Sequence, residues 1–260
     1  MERLSGKRKT GITTVGLRNW GMLFVICGIV SRGILQNRML GMADGNTAHL
    51  LDMMMTHPDA MGIATLALVL QAMESCAAPV FCFLLMEGFM HTQDFFQYLV
   101  RVAGIALVSE IPYNFAIDGQ IFSLSTRNPA FALVICLIML FLFRHYEARK
   151  MANTAIKFFV LLASFVWCKM LGIQDGGCCV IICAVLWWCR NRPNYRNLIA
   201  CSATVACMLF SPFFMAAPMG FMAIHFYNGE KGEESRALRY AMYPVILLVI
   251  GVAGLFLPNL

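Results

Sequence analysis

Charge is what this sequence has least of. Of its 260 residues only 13% are charged, while 60% are hydrophobic, and the mean hydropathy is +0.70. Soluble domains carry about 25% charged and about 45–50% apolar residues, so a water-soluble core is excluded. The marks of a soluble enzyme are missing too. There is no phosphate-binding glycine loop, no nucleophile elbow and no His-Glu-x-x-His. The basic stretch MERLSGKRKTGITTVGLRNW is not followed by a short apolar region and a small-residue cleavage site, so it reads as a retained cytoplasmic tail. Cysteine is plentiful, at 11 residues, but a disulfide framework and zinc-ligand spacing are both lacking. Cys27, Cys76, Cys82, Cys136, Cys168, Cys178, Cys179, Cys183, Cys189, Cys201 and Cys207 all lie in or beside apolar runs, where cysteine acts as a small hydrophobe. No metal is expected. The net charge of +6 is accounted for by basic loops on one side of a membrane, and nucleic-acid binding is not needed to explain it.

What is present is a succession of apolar runs, several near the ~20 residues that cross a bilayer as a helix. Lipid forces backbone pairing within each segment. The expected class is therefore all-α, a polytopic integral membrane helical bundle. The spans are read as Trp20–Leu35, Met61–Met90, Tyr98–Ala116, Pro129–Phe143, Ala155–Gly172, Cys178–Cys189, Leu198–Met215, Ala216–Phe226 and Tyr240–Leu257. Met61–Met90 contains Pro79 and reads either as one kinked span or as two short ones. One crossing puts RHYEARK (144–150), RNRPNYR (190–196) and KGEESRALR (231–239) on the side of the N-terminal tail, as the positive-inside bias prefers. That gives about nine transmembrane helices, with the N-terminus cytoplasmic in an inner or plasma membrane. The chain reads as one membrane domain over 1–260, with a tail at 1–19 and the bundle at 20–258. The segment GNTAHLLDMMMTHPDA is then external and amphipathic.

The same topology sorts the polar residues by depth. Glu87, His91, Arg101, His225, Tyr240 and Tyr243 are expected near the cytoplasmic face. Arg32, Glu110, Asn114, Asn128 and Asp175 form an expected outer polar cluster. Charges at membrane depth cost at least a few kcal/mol and either pair or line a cavity. Arg32 is expected to pair with Glu110 or Asp175, and Glu87 with Arg101. His145 reads as solvated, His49 and His57 as interfacial, and Lys169 as reaching the outer surface. Trp167, Trp187 and Trp188 fit an aromatic belt.

One long stretch, APVFCFLLMEGFMHTQDFFQYLVRVAGIALVSEIPYNFA, resembles the TraX family of membrane proteins, named for the enzyme that N-acetylates conjugative pilin. The matching pattern is a proline-containing span, Glu-Gly, His-Thr, Tyr-x-x-Arg and Ser-Glu-Ile-Pro-Tyr-Asn. Asn128 matches an asparagine that opens the next span. QDGG at 174–177, FYNGEKG and RYAMYPVILL are weaker matches. Two departures stand out. The first span of the family carries an Asp-His pair, where this chain has Ser31 and Arg32. The last span of the family reads Tyr-Pro-x-His, and here Ile246 takes the histidine position.

The resemblance implies an acyltransferase that uses acetyl-CoA as donor and modifies an amine or hydroxyl of a pilin-like or other membrane-presented acceptor. In that reading His91 is the general base, oriented by Glu87 one helical turn away. Arg101, Tyr243 and His225 serve substrate or CoA binding, and loop arginines such as Arg149 and Arg192 attract the CoA phosphates. The alternatives are a non-catalytic membrane partner or scaffold for a peptide or pilin-like substrate, which the missing histidines favour, and a small-solute transporter. Membrane lipid is an expected partner in each case.

Overall fold

The computed structural model describes residues 11–41, 61–123, 127–147 and 152–256, and these are helical with only two isolated β-bridges. Helix α1 spans Thr14–Ile29 and continues as a π-helical segment, Val30–Met39. Then follow α2 (Met61–Ser75), α3 (Ala77–His91), α4 (Phe95–Asp118), α5 (Ala130–His145), α6 (Ala152–Met170) and α7 (Gly176–Trp188). Helix α8 covers Pro193–Ala206, α9 is the short Gly220–His225, and α10 covers Arg236–Leu255. Thr13, Asp94 and Ser235 start α1, α4 and α10 by accepting a backbone N–H at the third position on, the usual work of short polar N-caps.

Among the described residues, four segments are long and apolar enough to cross a bilayer: Thr14–Met39, Met61–His91, Phe95–Asp118 and Ala237–Leu255. Ala130–His145 and Gly176–Trp188 are shorter apolar helices. The Met61–His91 segment is thus one candidate span with an interruption at Cys76. Pro79 explains the interruption, since it has no N–H to offer the Ser75 carbonyl four residues back.

Contacts along the helices fix their directions. Thr14 lies beside Tyr227 and Glu230, while Arg38, at the other end of the first pass, reaches the Gly251 carbonyl. Going back, Glu74 sits over Gly28 and Val80 over Gly21. Helix α4 returns with the Tyr98 hydroxyl on the Leu85 carbonyl and Ala116 against Gly33. Helix α5 comes down from Asn128 to Arg144, which lies over Phe89, and α7 ends with Trp187 beside the same ring. Helix α10 starts from Glu234, paired with Arg18, and packs most extensively on α4. Arg144, Arg190 and the 228–239 segment therefore gather near Thr14, and this is the basic end.

Two expected spans are not built as read. Leu198–Met215 and Ala216–Phe226 are α8, then three 3-10 turns at Cys207–Leu209, Pro212–Met215 and Ala217–Met219, then α9. Pro212 and Pro218 cannot donate within a helix. The backbone turns as 3-10 structure instead, with the Phe210 N–H on the Cys207 carbonyl at 2.9 Å and the Met219 N–H on the Ala216 carbonyl at 3.0 Å. The Cys76 thiol adds a bond to the Ala216 carbonyl at 3.1 Å, and the Cys178 thiol approaches the Cys207 carbonyl at 4.0 Å. Gly220 fits against the Cys76 carbonyl where a Cβ would collide.

The main core joins α3, α5, α7 and the 3-10 region around Phe83, Phe89, Leu137, Met139, Phe143, Ile182 and Phe214. Trp187 belongs to this core at 2% exposure and not to an interfacial belt, whereas Trp167 and Trp188 are exposed. The expected external segment with His49 and His57 falls outside the described residues.

Candidate functional site

The π segment begins the site. Its wide winding shows in the Leu40 N–H bond to the Leu35 carbonyl, five residues back, at 3.1 Å. The same step brings Gln36 over Ser31, and Gln36 Nε2 donates to Ser31 Oγ at 3.1 Å. Gln36 also donates to Gln71 Oε1 at 3.0 Å, and Ser31 donates to the Ala67 carbonyl at 2.7 Å. Arg32, only 6% exposed, is left facing the bundle interior. It forms an ion pair with Glu74, donates to Gln174 and reaches the Tyr113 hydroxyl at 3.4 Å. Asp175 faces it as well, with Ser211 alongside. Glu74 gets this close because it lies on Gly28, where any Cβ would overlap its carboxylate.

Helix α4 supplies the second wall through Ser-Glu-Ile-Pro-Tyr-Asn. Ser109 and Tyr113 lie one turn apart, as do Glu110 and Asn114, so two adjacent faces carry polar groups. Ser109, Tyr113 and Asn114 are buried. Glu110 accepts from Arg127 at 3.1 Å and from the Asn128 backbone N–H at 3.2 Å. Asn128 Oδ1 in turn accepts the Ala130 N–H at 2.9 Å, which starts α5, and the Tyr243 hydroxyl at 2.7 Å.

The polar groups of this layer are not all satisfied. Arg32 Nε, Gln36 Oε1, Ser109 Oγ, Asn114 Oδ1 and Asn128 Nδ2 are buried and have no hydrogen-bond partner. Each such atom costs about 1–3 kcal/mol. A set of donors and acceptors held together at that cost marks a place suited to a polar group. Chemically, the layer offers carboxylates that accept a proton and N–H donors that hold a developing oxyanion. Among the described residues no His, Cys, Asp or Glu group suits a metal ion.

The outer cluster expected from sequence is therefore assembled here, with Arg32, Glu110, Asn114, Asn128 and Asp175 in one region. Two expectations about it are corrected. Arg32 pairs with Glu74 and not with Glu110 or Asp175, because Glu110 is occupied by Arg127 and Asn128. Tyr243 lies in this layer on Asn128 and not at the opposite face. Reading the sequence also missed Glu74, Tyr113, Gln36 and Gln71. Glu74 had a visible signal, as the one acid within the apolar half of Met61–Met90 that ends at Pro79.

The other expected group stands near the basic end. His91 and Glu87 do share a face: His91 Nδ1 is 2.9 Å from the Glu87 carbonyl and 3.8 Å from its carboxylate. The His91 side chain is 68% exposed. Arg101 is exposed and donates to Gln97, one turn back, at 3.1 Å, instead of pairing with Glu87. His225 is exposed beside Phe226. The described histidines, His91, His145 and His225, all lie outside the buried layer.

A family model described as TraX protein matches residues 47–253, most of the chain. A curated relative, "Probable fimbrial assembly protein FimC, serogroup H1" from Dichelobacter nodosus, is 26% identical over 202 residues, covering 69% of this chain and 80% of that protein. No solved structure gives a significant match. The matched region contains Glu74, the Ser-Glu-Ile-Pro-Tyr-Asn wall, Asn128, Asp175 and Tyr243, so the chain belongs to the TraX family.

Proposed function

We propose that this protein is an acyltransferase embedded in the plasma membrane, moving an acetyl group from acetyl-CoA to an amine or hydroxyl of a pilin-like or other membrane-presented acceptor. It crosses about nine times, with the basic end facing the cytoplasm. Family membership supports the reading, and the fimbrial assembly name of the relative supports a pilus context. The observation that carries it is the buried layer, where carboxylates and unpartnered N–H donors meet inside an apolar bundle. The donor enters from the basic end and the acceptor from the end nearer the layer.

In this mechanism a layer carboxylate, Glu74 or Glu110, takes the proton from the acceptor as it attacks the thioester carbonyl. The Asn128 Nδ2–H and Arg32 Nε–H groups stabilise the tetrahedral oxyanion, and the thiolate of CoA leaves. Preorganised donors of this kind contribute about 10²–10³-fold each to rate. Ser31 and Arg32, which stand where the family has its Asp-His pair, both face this layer. The test is transfer of labelled acetyl from acetyl-CoA by purified protein. Asn128→Ala is expected to lower transfer by about 10²-fold, with His91→Ala close to wild type. The reverse result moves the base to the His91–Glu87 pair. A wild-type protein that neither binds nor hydrolyses acetyl-CoA removes the transferase reading.

A non-catalytic partner in pilus assembly is the second reading. One observation favours it: Ile246, at the family's last-span histidine position, simply packs in an apolar cluster with Ile29, Tyr113 and Leu247.

A further inference from the structure

At the basic end, three arginines are fixed over aromatic rings. Arg190 lies over Trp187 at 4.0 Å, Arg196 over Phe83 at 4.9 Å and Arg144 over Phe89 at 5.6 Å. Phe83 and Phe89 are on α3 and Trp187 closes α7, with the Phe89 and Trp187 rings 5.9 Å apart. The guanidinium groups therefore share one seam. Arg190 is locked further by donating to the Trp187 carbonyl at 3.0 Å, and it pairs with Glu147. Arg144 and Arg196 have no acidic partner among the described residues. Among the described residues, these three cations thus have one acidic partner.

The seam also holds N–H groups that nothing accepts. Trp187 Nε1 and Arg196 Nε are buried without a hydrogen-bond partner, and Trp187 is 2% exposed. Stacking on a ring holds a guanidinium in place without consuming its charge or its in-plane N–H groups. Guanidinium forks match the paired oxygens of phosphate. Glu147 is 45% exposed, so solvent screens most of its pull on Arg190.

We propose that this arginine–aromatic seam is a binding site for phosphate esters. Its occupant is the phosphate end of a nucleotide-type ligand or the headgroup of an anionic lipid, which present the same chemistry. Phosphate binding requires no transfer step, so the site stands apart from the transferase reading, although a phosphate-bearing donor would occupy it if both hold.

The experiment uses the full chain purified in detergent. Adenosine 3′,5′-bisphosphate is titrated by calorimetry and thermal shift, and retention of phosphatidylglycerol against phosphatidylcholine is read by native mass spectrometry. The expected result is a bisphosphate-dependent rise in melting temperature. Arg190→Gln with Arg196→Gln should weaken binding by roughly tenfold or more, as for loss of charge-assisted forks. Lys231→Gln, at an exposed cation outside the seam, should bind as wild type. The double lysine variant keeps the charge and loses the fork. It should fall between wild type and the glutamine pair, and it keeps the test open if the glutamine pair does not fold. Phosphatidylglycerol retention without a bisphosphate response assigns the site to lipid headgroups. The proposal is overturned if neither probe binds, or if the glutamine and lysine pairs bind as wild type. Phosphate binding without acetyl transfer would count against the transferase reading alone.

Discussion

The two ends of this bundle use arginine in opposite ways. Arg32 is held by an acid and by amide and hydroxyl groups in the polar layer. Arg144, Arg190 and Arg196 are held by ring faces. An arginine paired inside the layer has its charge cancelled locally, which makes it tolerable at membrane depth. An arginine over a ring keeps its charge and its in-plane N–H groups. The comparison separates an interior that cancels the charge of its arginine from a rim that stacks its arginines on rings, although both are written with the same residue type.

Breaking the Arg32 pair should have the largest effect. Glu74→Ala leaves a buried guanidinium uncompensated, which typically costs about 3–5 kcal/mol. The folded yield in detergent should fall sharply, while Glu147→Ala, the exposed counterpart at the other end, should leave it nearly unchanged. Equal behaviour of the two would erase the contrast. Next comes Gly28→Ala, which forces the Glu74 carboxylate off its seat. Overpacking of this kind costs about 1–3 kcal/mol. The control is Gly62→Ala, where a Cβ meets nothing, and which should stay within about 0.5 kcal/mol. Both are read as shifts in melting temperature.

Tyr243→Phe is smaller again. It removes one hydrogen bond to Asn128, worth about 0.5–1.5 kcal/mol. A loss of transfer much larger than this loss of stability would sharpen the placement of the reaction in the layer.

The smallest effect is a pH dependence at the basic end. Arg18 holds Glu234 through two hydrogen bonds, one at 2.6 Å, and Arg239 stands 3.6 Å away. The bonds from Arg18 push the Glu234 carboxyl below its ordinary value of 4.5. A lowered folded-state value means that the stabilisation is complete above the ordinary value and disappears as pH falls through the lowered one. The melting temperature should therefore drop more steeply in acid for wild type than for Glu234→Gln. Parallel curves would show that the pair adds nothing.

Much of this architecture was legible because lipid leaves few choices. Apolar run length and the placement of basic loops led to reading Met61–Met90 as one pass, and the structure has one long apolar segment there, Met61–His91. The outer cluster was legible because charges in apolar runs are costly and therefore informative. The partner of Arg32 was not. Which acid meets it depends on Gly28 letting α1 and α2 approach, and that is a property of two surfaces together. The depth of Tyr243 was missed for a related reason: its level depends on how α10 slides along α4. The breaks after Ala206 were written in Pro212 and Pro218, but high hydropathy on both sides hid them.

Those breaks give two of the cysteines a role beyond filling space. Beside the breaks, the Ala216 carbonyl accepts the Cys76 thiol as well as the Met219 N–H, and the Cys207 carbonyl, which accepts the Phe210 N–H, lies near the thiol of Cys178. Thiols are weak donors, so they supplement a connection between α8 and α9 whose own backbone bonds already hold it. Ser211 sits in that stretch, next to Asp175. The break in the helices thus sets an irregular but tightly buried stretch of backbone, with Phe214 at 1% and Ala217 at 0% exposure, against the polar layer.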